Sequence, residues 1–230
     1  MTPIEAIIRK EWVETLHNRT LVWSFALVGI MFTLMPLFIA FGLPALVGDG
    51  MTTDSDMGPM LRLLSGALPG FEALTPLQQF QVFSIRQFLP LFLLLPIMGA
   101  MSIATYSIIG EKTSRSLEAV LATPTTTRQL LLSKALAASL PAVAGAWLLF
   151  LAFALVVWLL GGPEVARYAL DGTAWAMILL ITPLVALLAL GLGVIVSSRA
   201  TDPRSAQQIA TLLVLPVVAL LIAQISGLFL

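Results

Sequence analysis

Charged residues are absent from five long stretches, Leu21 to Leu43, Phe88 to Ile109, Ala135 to Leu160, Ala174 to Val196 and Ile209 to Leu230, and gather in the segments between them. Each stretch can cross a hydrocarbon core of about 30 Å, which takes roughly 20 helical residues. Their apolar residues run continuously, without the alternation of a barrel strand, and backbone polar groups cannot stay unpaired in lipid, so the pattern predicts helices. The expected fold is an all-α polytopic transmembrane bundle, a single domain over residues 1–230 with five visible spans. Residues 44–87 then form an outer loop, and residues 110–134 a loop on the opposite side.

The segment before the first span, residues 1–19, reads differently. Thr2, Pro3 and Glu5 make a helix start: a capping hydroxyl, proline at the first helical position and an acid that returns the capping bond. Ile4, Ile7, Ile8, Trp12 and Leu16 share one face while Glu5, Arg9 and Glu14 lie away from it, the pattern of a helix lying in the membrane interface. The plainer alternative is an extension of the first span.

Inside the spans, prolines (Pro36, Pro90, Pro96, Pro141, Pro183, Pro216) each remove a helix hydrogen bond. Two stripes of small residues, Ala135, Ala138, Ala142 and Gly145 in the third span and Thr182, Ala186, Ala189, Gly193 and Ser197 in the fourth, let helices approach closely, chiefly within the subunit. The polar groups left in the spans, Ser102, Thr105, Tyr106, Thr182, Gln224 and Ser226, are candidates to line a pathway, with satisfaction of neighbouring backbone as their other role.

Composition agrees: 59% of residues are hydrophobic and 10% charged, where a soluble domain carries roughly a quarter of its residues as charges. Formal net charge is zero, so nothing marks a nucleic-acid surface. Cysteine is absent, which removes thiol catalysis and thiolate metal sites, and His17 is the only histidine. Counting basic residues on alternate sides of the spans gives nine (Arg9, Lys10, Arg19, Lys112, Arg115, Arg128, Lys134, Arg199, Arg204) against three (Arg62, Arg86, Arg167). The positive-inside rule then places the N-terminus in the cytoplasm of a cell-membrane protein.

Between the second and third spans runs Gly110-Glu111-Lys112-Thr113-Ser114-Arg115-Ser116-Leu117-Glu118-Ala119-Val120-Leu121-Ala122-Thr123-Pro124. Ser114 and Ser116 can cap a short helix that Pro124 ends, with Leu117, Val120 and Leu121 as a small apolar face. Thr126 with Gln129 restarts a helix as a capping box leading into the third span. This segment resembles the cytoplasmic loop of the type-2 ABC transporter permeases, matching at Gly110, Glu111, Lys112, Leu117, Glu118, Leu121, Ala122, Thr123 and Pro124. A second similarity runs through Gly191-Leu192-Gly193, Ser197-Ser198-Arg199 and Asp202-Pro203-Arg204-Ser205-Ala206-Gln207-Gln208.

The resemblance implies the membrane-spanning subunit of an exporter that docks cytoplasmic ABC ATPase subunits and pairs with a second permease subunit, as a homodimer or heterodimer. It makes the loop helix a coupling helix, with Glu111, Leu117, Glu118, Val120, Leu121, Thr123 and Pro124 at the ATPase interface. ATP and Mg would then be held by the partner, and no cofactor by this chain. A sixth span and a cytoplasmic C-terminus are also implied. The abrupt apolar end at Leu230 therefore leads to the expectation that the sequence continues, the alternative being a shorter member of that family.

No Gly-Lys pair occurs, so the phosphate-cradling loop of an ATPase is missing and the chain is not expected to be an enzyme. Asp49, Asp54 and Asp56 lack the spacing and distal Glu of a calcium loop, and no acid lies within a span to serve intramembrane proteolysis or ion coupling. The competing reading is an ATP-independent facilitator or interaction scaffold in the bilayer, whose loop helix merely lies on lipid.

Overall fold

The computed structural model describes residues 3–48, 64–66, 68–113, 127–199 and 214–225. Helix is the only regular structure among the described residues. Helix α1 (Pro3–His17) begins where the Thr2-Pro3 signature places it, and α2 (Arg19–Leu37) carries Pro36 before widening into a π turn at Phe38–Gly42 and a short α3 (Leu43–Val47). A 3-10 turn at Phe71–Ala73 precedes α4 (Pro76–Phe88), which passes through a second 3-10 turn, Leu89–Leu93, into α5 (Leu94–Thr113).

Helix α6 (Thr127–Ala169) is interrupted at Gly162, whose φ of 71° only glycine adopts cheaply. Pro163 then starts a new helical stretch, so the sequence Gly161-Gly162-Pro163 interrupts the helix just after Leu160. Short α7 (Gly172–Ala176), a π turn at Met177–Ile181, α8 (Thr182–Arg199) and α9 (Val214–Ile225) complete the described elements.

Four helical runs are long and apolar enough to cross a membrane: Val22–Val47, Pro76–Ile103, Ser133–Ala169 and Gly172–Ile195. The expected fifth span is described only as the 12 residues of α9; its remainder lies outside the described residues. The second run is the enclosed one, 78% buried against 22% to 33% for the others.

That second run corrects the expected outer loop at its C-terminal end. Residues 76–88 are helical, and Phe80, Gln81, Val82, Ser84, Ile85 and Gln87 are buried. Thr75 Oγ1 accepts from the Gln78 backbone N–H at 3.3 Å while the Thr75 N–H donates to Gln78 Oε1 at 3.0 Å, a complete capping box with Pro76 at the first helical position. A rule that ends spans at charges stops at Arg86. The helix continues through it because Arg86 is partnered by the Tyr168 carbonyl and Asp171.

By its internal contacts the chain divides into two compact units. The first comprises Met1–Val28, Leu93–Ala146 and Ile181–Leu215. Here α5 packs along α8. Both small-residue stripes are largely buried: Ala138 and Ala142 on α6 are 1% exposed, and Thr182, Ala186 and Ala189 on α8 are 0–1% exposed. Gly99 on α5 shows how close the approach is, since a Cβ there would sit 2.2 Å from Phe25 Cζ and 2.9 Å from Ala142 Cβ.

The second unit comprises Gly29–Phe92, Trp147–Leu180 and Pro216–Leu230. Its centre is aromatic. Phe92, Phe150 and Phe153 are at most 1% exposed, and Phe150 meets Phe92, Phe153 and Trp175 with ring centroids 5.6, 6.4 and 5.1 Å away. Edge-on geometry at two of these contacts places the positive edge of one ring on the negative face of the next.

Candidate functional site

The expected coupling residues Leu117, Glu118, Val120, Leu121, Thr123 and Pro124 lie outside the described residues, as does Ser226. Glu111 falls in the last turn of α5 and Gln224 in α9. Ser102, Thr105 and Tyr106 belong to α5. Ser102 is half-buried and Thr182, on the neighbouring α8, is fully buried. Four of the six candidate pathway residues are thereby carried by two helices that pack together.

Three polar clusters go beyond what the sequence pattern predicts. The first joins α1 to the start of α6 in the first unit. Lys134 Nζ lies 3.2 Å from Glu11 Oε1, and the Trp12 indole Nε1–H donates to the Ala137 carbonyl at 3.1 Å. That carbonyl is available for a reason legible in the sequence: its helical partner four residues on is Pro141, which has no N–H. Elsewhere on α1 the apolar side chains of Trp12, Val13 and Leu16 are 40%, 48% and 71% exposed.

A similar repair occurs in the second unit. In the π register of Met177–Ile181, the carbonyl of Ile178 would receive the N–H five residues on, at Pro183, which again has none. Trp147 Nε1–H donates to Ile178 O at 3.1 Å instead. Both bonds answer the rule that buried backbone carbonyls find partners, most stringently where water is scarce.

The third cluster surrounds Arg86. Its Nη1 lies 3.0 Å from Asp171 Oδ2 and donates to the Tyr168 carbonyl at 3.0 Å. Asp171 Oδ1 meanwhile accepts from the Ala174 N–H at 2.9 Å, capping α7. Tyr168 Oη–H donates to Pro69 O at 3.4 Å, and its ring meets Phe71 edge-on at 6.4 Å. One arginine thus fixes α4, the turn before it and the 168–174 connection together. With side chains 23% and 24% exposed, the pair is partly screened. Arg86→Met is expected to lower stability in detergent by about 1–2 kcal/mol. Asp171→Asn, which keeps a capping oxygen, is expected to cost less than Asp171→Ala, which loses about 1 kcal/mol more with the cap. Equal melting temperatures for the two Asp171 variants would remove the capping role.

Glu11 carried a readable signal. It stands three residues after Ile8 and four after Ile7, on the apolar face of α1, where a carboxylate is out of place unless a cation meets it. Nothing local identifies Lys134 as that cation.

No metal-binding group of three or more His, Cys, Asp or Glu residues occurs among the described residues. No curated protein and no solved structure matches the chain significantly. A family model, described as ABC-2 family transporter protein, matches residues 5–230, a range that takes in every helix described above apart from the first residues of α1. Apolar spans, an N-terminal amphipathic helix and the loop sequence from Gly110 to Pro124 all accord with that match, and the chain belongs to the ABC-2 family of transporter proteins, as a type-2 ABC permease.

Proposed function

We propose that this permease is the membrane subunit of an ATP-driven exporter, paired with a second permease subunit and driven by two cytoplasmic ABC ATPases. The observation that carries the reading is the family match over residues 5–230, because a permease of this family works with an ABC ATPase. The basic residues place the N-terminus and the 110–134 loop in the cytoplasm, where ATPases can reach that loop. ATPase closure presses on the helix around Leu117 to Leu121 and tilts the second and third spans, switching access for cargo. Leu117, Val120 and Leu121 give the apolar contact, with Thr123 and Pro124 closing the helix and Glu111 and Glu118 adding charge complementarity. ATP and Mg are bound by the partner. In the first unit, Ser102, Thr105, Tyr106 and Thr182 are the candidates to line the cargo pathway, and the predominantly apolar spans suit an amphipathic cargo.

Affinity purification of the tagged chain from its native membranes, followed by ATPase assays in vesicles against candidate lipids and amphipathic drugs, tests this directly. Co-purification of an ABC ATPase with cargo-stimulated hydrolysis is the expected outcome. Purification without any ATPase would return the chain to the facilitator reading. Within the complex, Leu121→Asp is expected to reduce transport per ATP hydrolysed by on the order of tenfold, because it puts a charge in an apolar contact, while membrane insertion is unchanged. Unaltered coupling in that variant would remove the loop helix from the mechanism.

A further inference from the structure

The ion pair between Glu11 and Lys134 is withdrawn from solvent on both sides, with side chains 6% and 10% exposed. Removing two charges from water is costly, and an apolar pair of similar size would hold two helices at least as well. What a hydrogen-bonded ion pair adds is register, since it is satisfied at one position along and around the partner helix and at few others. The second bond, from the Trp12 indole to Ala137 O, reinforces this. Consecutive residues of α1 grip α6 at positions 134 and 137, one turn apart, so that neither sliding nor rotation of α1 leaves both bonds intact. The second of these grips falls on the carbonyl that Pro141 leaves without a helical donor. Lys134 stands seven residues after Thr127, where α6 begins.

We propose that Glu11 and Lys134 are positioning residues for energy coupling: their clasp makes α1 and the first turns of α6 one mechanical piece, so that displacement of the loop feeding α6 is delivered to the interfacial helix. This rests on the ATP-driven reading above. It adds a second output for the push: besides tilting spans, it moves α1 with its exposed Trp12, Val13 and Leu16 through the membrane interface. Trp12 supports the clasp by satisfying the carbonyl that Pro141 leaves without a donor.

The chain contains no cysteine, so introduced thiols are the only ones it carries. The wild-type sequence with Leu16→Cys, spin-labelled, is reconstituted in nanodiscs with the ATPase that co-purifies with it. The label's mobility is compared between the nucleotide-free and vanadate-trapped states. A nucleotide-dependent change is expected, at least fivefold smaller in Glu11→Gln and Lys134→Gln, with ATPase binding retained. Because either substitution strands a buried group and can impair folding, a second preparation keeps the test clean: Glu11→Cys/Lys134→Cys, with a fluorophore placed through an amber codon at residue 16. Bridging the two thiols with a short bifunctional reagent should restore the nucleotide response, and cleaving the bridge should abolish it in the same protein. A full response in Glu11→Gln, or a bridge that blocks the response, overturns the clasp alone. A wild-type complex that hydrolyses ATP without a nucleotide response at residue 16 likewise overturns the clasp alone, whereas a chain that purifies without any ATPase overturns the ATP-driven reading and the clasp with it.

Discussion

Gly99→Val should be the most damaging single substitution in the first unit, lowering stability by about 3 kcal/mol in a mixed-micelle unfolding titration. The reason is geometric: the first carbon of any side chain at position 99 would stand 2.2 Å from Phe25 Cζ and 2.9 Å from Ala142 Cβ. Phe25 is half-buried and its ring tip can swing aside, whereas Ala142 is 1% exposed and its Cβ moves only with the α6 backbone. Gly99→Ala should therefore cost less, about 1–2 kcal/mol, and Phe25→Leu in the Gly99→Ala background should recover part of that loss. Lipid chains are as apolar as the side chains here, so close van der Waals approach between helices is the main source of their association, and a glycine at the crossing maximises it. A Gly99→Val protein as stable as wild type would mean that α5 does not meet Phe25 and α6 at this point.

In the second unit the largest effect is expected from Phe150→Ala, about 3 kcal/mol by thermal unfolding in detergent. Phe150 touches Phe92, Phe153 and Trp175, and truncation opens a cavity beside two buried rings, Phe92 and Phe153, and the half-buried Trp175. Part of the usual cost of burying a ring less completely is absent in a bilayer, because the alternative surroundings are hydrocarbon rather than water. Lost dispersion contacts and ring-edge electrostatics remain, the latter about 0.5–1.5 kcal/mol per pair. Phe150→Leu should fall midway, since it fills much of the cavity without offering a ring face to Trp175. If Phe150→Leu proved as harmful as Phe150→Ala, ring geometry rather than filled volume would be what holds this centre together.

These two sites frame the transport proposal. The first unit carries the clasp of α1 on α6, the packed pair α5 and α8, and Ser102 and Thr182. The second carries the aromatic centre and the Arg86 network. Each unit thus has its own means of rigidity: close approach at small residues in one, interlocked rings and a charged tie in the other.

The sequence by itself determined the helical membrane class, because runs of about 20 uncharged residues admit few other states. It also determined where helices begin and end wherever the cause is local. Helix α1 starts at Pro3, Gly162-Pro163 breaks α6, and the small stripes Ala138-Ala142 and Thr182-Ala186-Ala189 face inward as expected. Thr75-Pro76 with Gln78 was equally local, and the outer-loop assignment over it followed from giving Arg86 the full cost of an isolated charge. Only the tertiary structure decided what charges and indoles do. Arg86 lies in a helix because Tyr168 and Asp171, 82 and more residues away, are brought to it. Glu11 sits on an apolar face because Lys134 arrives from 123 residues further on. Hydropathy sums each residue's solvation cost along the chain, whereas the cost of a buried polar group depends on the partner that folding supplies. Pro141 and Pro183 announced in sequence that carbonyls would be left without donors; that Trp12 and Trp147 supply the missing N–H groups was fixed by packing alone.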